Sequence, residues 1–147
     1  MHKDICPFCR IVAGEASAEI LYESDSTISF LDINPINYGH ALVVSKGHFR
    51  DFSDLPDDVL LDATRSLKVV SRAILESIRP AGFNIFNNNG AAAGQSVFHF
   101  HIHIAPRFEG DGMKIRPQLK IYESPEHMSE YAKVIREKIK VNDKSGE

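Results

Sequence analysis

Gly94-Gln95-Ser96-Val97-Phe98-His99-Phe100-His101-Ile102-His103-Ile104-Ala105-Pro106-Arg107 is the stretch that decides how this chain is read. Histidines stand at every second position, 99, 101 and 103, with Phe98, Phe100, Ile102 and Ile104 interleaved. Two-residue alternation is the period of a β-strand, so the imidazoles should leave one face while the apolar side chains pack behind it. Unperturbed imidazole titrates close to neutrality, so three on one strand point to proton transfer, nucleophilic attack or metal binding. One ion held by all three is disfavoured, because the strand rise spreads the outer Cβ atoms roughly 13 Å apart.

Working outward, Phe83–Phe86 reads as a strand, followed by a small-residue loop over Asn87–Gly94. Upstream, Leu60, Ala63, Leu67, Val70, Ile74 and Ile78 recur at helical spacing and predict a helix over Leu55–Arg79. Pro56 suits its first turn, Asp57 and Asp58 complement the dipole there, and Pro80-Ala81-Gly82 ends it. Strands are predicted at Glu19–Tyr22, Thr27–Leu31 and His40–Val44, and a short helix over Pro7–Ala13 is closed by Gly14. A last helix, capped by Ser124 with Pro125 at its first position, runs to about Lys140, ahead of a frayed tail over 142–147. The pattern is α+β.

Composition narrows the function classes. At 147 residues and 43% hydrophobic content the chain fits one domain with an ordinary core. A net charge of −3 argues against a nucleic acid polymer as partner, which would call for a basic stripe. The apolar runs are too short to span a membrane, and Met1-His2-Lys3-Asp4 is too polar for a secretory signal. Only two cysteines occur, Cys6 and Cys9, spaced C-x-x-C. A reducing, cytoplasmic setting is the simplest reading. Alone, the pair is a redox couple, half of a zinc site or two unrelated thiols, and no thioredoxin-like context favours the first.

The triad His99-Phe100-His101-Ile102-His103-Ile104-Ala105 resembles the signature of the histidine triad (HIT) family of nucleotide hydrolases and transferases. Phe30-Leu31-Asp32-Ile33, Gly39-His40-Ala41-Leu42-Val43-Val44, Asn88–Gly94, Gly94-Gln95-Ser96 and Pro106-Arg107 fall where that family has matching elements, over about residues 5 to 108. The resemblance implies a single HIT domain over 1–147. It would have an antiparallel sheet of about five strands, with the long helix and a C-terminal helix packed on it. It also implies a homodimer and a purine nucleotide substrate.

Residue by residue, the resemblance makes His101 the nucleophile that attacks an α-phosphorus and carries the nucleotidyl group, with His103 beside it managing protons at the leaving group. Ser96 offers a hydroxyl, and the Gly94-Gln95-Ser96-Val97 backbone can turn N–H groups toward phosphate oxygens. Asn88 adds a neutral polar contact, and His40 matches a fourth, supporting histidine. Asp32 matches the position that accepts the ribose hydroxyls, and Phe30, Leu31 and Ile33 wall the base. Read from the residues alone, Asp32 serves nearly as well as a turn residue before Asn34-Pro35, and Asn87–Gly90 as a plain turn.

Microbial members of the family pair an N-terminal C-x-x-C with a histidine after the third strand and the first triad histidine. By that resemblance Cys6, Cys9, His48 and His99 form a structural zinc site, one ion per chain, which would withdraw His99 from the chemistry. The leaving group stays open. Pro106-Arg107 resembles the dinucleotide-hydrolysing branch, whereas Gly94-Gln95-Ser96 with Asp32 resembles the phosphoramidase branch. Phosphoramidates and small adenylates are favoured here, because directly after the triad strand the chain offers mainly Arg107, with Lys114 or Arg116 beyond it, to neutralise a polyphosphate. Nucleotidyl transfer to another acceptor, or nucleotide binding for regulation, are the competing readings.

Overall fold

The computed structural model describes residues 5–114 and 118–144, so Met1–Asp4, Arg116 and positions 145–147 of the expected tail lie outside the described residues. The chain forms two compact units, Met1–Met113 and Lys114–Glu147. In the first, α1 (Pro7–Val12), β1 (Ile20–Glu23), β2 (Thr27–Leu31), β3 (Ala41–Ser45), α2 (Asp57–Ile78), β4 (Gly82–Phe86) and β5 (His101–Arg107) follow in order. Short 3-10 turns at Phe52–Asp54 and Ala91–Ala93 went unread in the sequence.

All strand pairings are antiparallel, in the order β1-β2-β3-β5-β4. Register then sorts the histidine segment by face. His101 pairs with Val44 and His103 with Leu42, whereas Ile102 and Ile104 pair with Val43 and Ala41. Leu42 and Val44 belong to a cluster with Cys6, Phe8, Ile28 and Phe30. Ala41, Val43, Phe100, Ile102 and Ile104 belong to another with Ala63, Val70 and Ile74 of α2. The apolar residues of the alternation are therefore the floor beneath α2, and the imidazoles stand on the opposite face with α1. One boundary differs from expectation: β5 begins at His101, and His99 precedes it.

α2 begins two residues later than expected, with Pro56 at its cap rather than in its first turn. Its buried stripe includes one polar residue, Ser66, whose hydroxyl meets Thr27 Oγ1 at 2.7 Å. It ends at Ile78, ahead of a left-handed C-cap at Arg79 with φ 54°, and Pro80, which has no N–H to donate, cannot continue it.

The second unit contains α3 (Pro125–Lys144), which extends past the expected end and takes in positions 142–144. Ser124 Oγ accepts the His127 N–H at 3.1 Å as the expected cap. Among the described residues, no helix is long and apolar enough to cross a membrane.

Candidate active site and metal centre

The histidines form two groups with separate chemistry. His101 is buried, and its Nδ1 lies 2.7 Å from the His99 carbonyl, an acceptor only. Nδ1 therefore carries the proton, and Nε2 keeps its lone pair. A second chain fixes His103. The Ile36 backbone N–H donates to His40 Nδ1 at 3.0 Å, so the His40 proton sits on Nε2. That proton is donated to His103 Nδ1 at 2.9 Å, which leaves His103 its Nε2–H as a donor. Phe86 stacks on the His103 ring at 4.4 Å, with the planes 8° apart.

All three rings are neutral at pH 7. Burial pushes His40 and His101 below the usual imidazole value, and pushes His103 down to about 4, assisted by its histidine neighbours and opposed by Asp32. Asp32 Oδ2 lies 3.6 Å from His40 Nε2 and 3.9 Å from His103 Nδ1. With the imidazoles uncharged, these are close approaches rather than ion pairs. Asp32 Oδ1 accepts the Asn34 N–H at 2.9 Å, so the turn role exists alongside whatever Oδ2 does.

Cys6, Cys9, His48 and His99 bring their ligand atoms within 4.8 Å of one another, a grouping that could hold a metal ion. His99 Nδ1 stands 3.4 Å from Cys6 Sγ, 3.5 Å from Cys9 Sγ and 3.1 Å from His48 Nδ1. Its other nitrogen faces the Ser45 carbonyl at 2.7 Å, which places the proton on Nε2 and frees Nδ1 to ligate. Burial also pushes His99 down to about 4, keeping it in the neutral, ligating form. Two thiols and two imidazoles are the donor set of a closed tetrahedral zinc site. Asp32, His40 and His103 are equally close, but their bonding argues against a metal. His40 Nδ1 is committed to the Ile36 N–H, so Nε2 is a donor and has no lone pair to give.

His101 and His103 line a cleft of about 410 Å³ together with Phe30, Asp32, Ile33, Ser96 and Val97. With Leu31, which also lines it, eight of the residues expected at the site thus meet in one space. Gln95, Gly94, Asn88 and His40 are not among its lining residues. The buried Gln95 amide accepts the Gly90 N–H at 2.8 Å and donates to the carbonyls of Arg50 (2.8 Å) and Val97 (3.1 Å), so its side chain shapes the loop. Gly94 has φ 88°, and a Cβ there would sit 3.6 Å from Asn88 Nδ2, so the two are neighbours across the loop. Arg107 is spent elsewhere: it forms a bidentate pair with Asp111 at 2.7 and 2.9 Å and also bonds Asn84 and the Met113 carbonyl.

The HIT domain matches residues 13–110. The chain belongs to the HIT family. Its fold superposes on a HIT family protein of Bacillus subtilis with a TM-score of 0.84 and 35% identity, covering 90% of this chain and 96% of that one. A zinc-bound histidine triad family protein of Mycobacterium smegmatis matches with a TM-score of 0.72 and 37% identity, over 81% of this chain and 86% of the other. An adenylylsulfatase of Arabidopsis thaliana is 42% identical over 106 residues, 72% of this chain and 54% of that protein.

Three contributors were not anticipated. The Ile36 N–H sets a tautomer through its backbone, which residue type cannot reveal. Phe86 and Phe8 were given no role at the site, yet Phe86 stacks on His103, and Phe8 meets both His99 and His101 edge-on. Phe86 reaches the triad through its pairing with His103 across β4 and β5, which its own sequence neighbourhood does not reveal.

Proposed function

We propose that this HIT protein is a nucleotide hydrolase that cleaves nucleoside phosphoramidates or related adenylates at the α-phosphate, through a covalent nucleotidyl-His101 intermediate. The hydrogen bond from His101 Nδ1 to the His99 carbonyl carries the reading, because it leaves a neutral imidazole with its Nε2 lone pair available at the cleft. Nε2 bonds to the α-phosphorus as the bond to the leaving group breaks, and water then attacks the same phosphorus and regenerates His101. His103 donates its Nε2–H to a phosphoryl oxygen. The departing amine takes up a proton from solvent, relayed through the Ser96 hydroxyl, and the water that attacks in the second step returns one to solvent.

Asp32 accepts from the ribose diol, and Phe30, Ile33 and Val97 flank a purine base. Asn88, Gly94 and Gln95 build the phosphate-facing loop. Cys6, Cys9, His48 and His99 would hold one structural zinc, whose contribution is to tie α1 to β3 and β5. The reading includes a homodimer, for which β4 offers an open sheet edge bearing the exposed Phe83 and Ile85. It also includes a cytoplasmic setting, where cysteine side chains are kept reduced.

Small leaving groups are favoured over long polyphosphates because the Arg107 guanidinium is already occupied by Asp111, Asn84 and Met113. The adenylylsulfatase among the relatives supports an adenylate with a small leaving group. Competition between adenosine phosphoramidate and diadenosine tetraphosphate tests the choice, since specificity is a ratio of kcat/KM values. A clear preference for the dinucleotide would overturn it, and binding of either with no monophosphate released would make the protein a binder only.

A further inference from the structure

α1 has only six residues, too few to hold a helix in water without tertiary support, yet it separates two cavities. On one side Pro7, Phe8 and Ile11 line the cleft that contains Asp32, Ser96, His101 and His103. On the other, Cys9, Arg10, Val12 and Ala13 line a recess of about 270 Å³ with Lys46, Gly47 and His48. The two cavities share no lining residue, and two of the four donors, Cys9 and His48, line the recess while Cys6 and His99 are buried behind them. Two of the four metal donors belong to this short segment. Cys6 caps it by accepting the Cys9 N–H at 3.5 Å, and Cys9 lies on its first turn. Phe8, between them, is edge-on to His99 at 5.8 Å, to His101 at 5.0 Å and to Phe30 at 5.6 Å.

We propose that α1 is a shared wall that links the metal centre to the nucleotide pocket, so that each occupant strengthens the binding of the other. The inference rests on the nucleotide and zinc readings given above. Ligation through Cys6 and Cys9 orders α1 and so sets Phe8 and Ile11 against the cleft. With the donors unligated, α1 samples displaced arrangements in which that side of the cleft is missing. Nucleotide affinity then falls by the fraction of molecules whose wall is in place. The separate recess lets metal exchange while nucleotide stays bound, so the doubly loaded protein is reachable by either order of addition. Linkage makes the effect reciprocal: nucleotide must tighten metal binding by the factor by which metal tightens nucleotide binding.

The test uses the metal-loaded protein. Its zinc dissociation constant is measured against a competing chelator at buffered free metal, with and without saturating adenosine monophosphate. Coupling predicts a constant lowered roughly five- to tenfold by the nucleotide, with the same factor separating adenosine monophosphate affinities of loaded and stripped protein. Phe8→Ala keeps all four donors and should still bind zinc while the factor falls toward one. Ile11→Ala provides the same comparison if Phe8→Ala does not fold. If adenosine monophosphate binds the loaded protein and leaves the zinc constant unchanged, the shared wall is wrong and the nucleotide reading stands. If it does not bind the loaded protein at all, the nucleotide reading fails and the coupling fails with it.

Discussion

The carbonyl of His99 accepts the Nδ1 proton of His101 at 2.7 Å. One residue therefore offers its side chain to the thiol cluster and its backbone to the neighbouring imidazole. The alternation of the triad makes this possible: adjacent same-face residues are close enough for the carbonyl of one to reach the ring of the next. A group held in this way needs no acidic partner to select its tautomer.

Replacing His101 with Ala or Gly is expected to leave folding intact and lower kcat by on the order of 10⁴-fold or more, as loss of a covalent nucleophile does. Rapidly quenched wild-type protein should carry a nucleotidyl adduct that peptide mass spectrometry maps to His101. Substantial turnover by the Ala variant would exclude the role.

Asp32→Ala should raise KM more than it lowers kcat, because a ribose contact made equally in ground and transition states is lost from binding alone. Deoxyribose substrates should be penalised in the wild type and show little further penalty in the variant. Since Asp32 Oδ1 also holds the Asn34 N–H, Asp32→Asn is the control that retains the turn. Equal penalties for deoxyribose in wild type and variant would exclude the diol contact.

Purified protein should contain about one zinc per chain, absent from Cys6→Ser and Cys9→Ser, and chelation should lower the melting temperature more than it alters the chemical step. Elemental analysis alongside thermal melts decides this. A metal-free protein with unchanged melting would mean that the cluster is only four neighbouring side chains.

Acid should be tolerated by the chemistry better than by an exposed histidine. His103, pushed down to about 4 by burial, stays neutral well below the ordinary imidazole value, and His40 is shifted in the same direction. The acid limb of kcat/KM should therefore fall below pH 6.5. Stability moves the other way. The unfolded chain binds protons near pH 6.5 that the folded rings refuse, so stability should decline as pH drops from about 6.5 toward the folded value. An acid limb centred at 6.5 or above would contradict the neutral assignment.

The Arg107 guanidinium holds the Asp111 carboxyl well below the usual carboxylate range. That contribution to stability is complete above about pH 4 and is lost as pH falls further, because the unfolded carboxyl protonates first. Asp111→Asn should flatten the acid side of the denaturant-midpoint profile. Arg107→Ala should destabilise the fold without changing the preference between phosphoramidate and dinucleotide. A shift in that preference would place Arg107 at the substrate.

How much was legible beforehand depends on range. Alternation at 98–104 set the strand and its two faces, and the helical stripe from Leu60 to Ile74 set the element beneath it, because each pattern is local. The convergence of Cys6 and Cys9 with His48 and His99 came from family resemblance, since no spacing shows that residues 90 positions apart will meet. The Ile36–His40–His103 relay was invisible for a different reason: its first donor is a peptide group, which every residue but proline possesses. Arg107 stayed open for a related reason: a cation beside the triad has its charge taken up by Asp111 four residues away, a pairing that sequence alone does not announce.

Gln95 has a consequence for what binding costs. Its amide fastens Gly90, Arg50 and Val97 in the folded protein, so the loop that carries Ser96 is tied down from within. The conformational entropy of that segment is given up during folding, before any ligand arrives. A nucleotide bound as proposed would have little left to order around its phosphate, and more of its interaction energy would remain for the transition state.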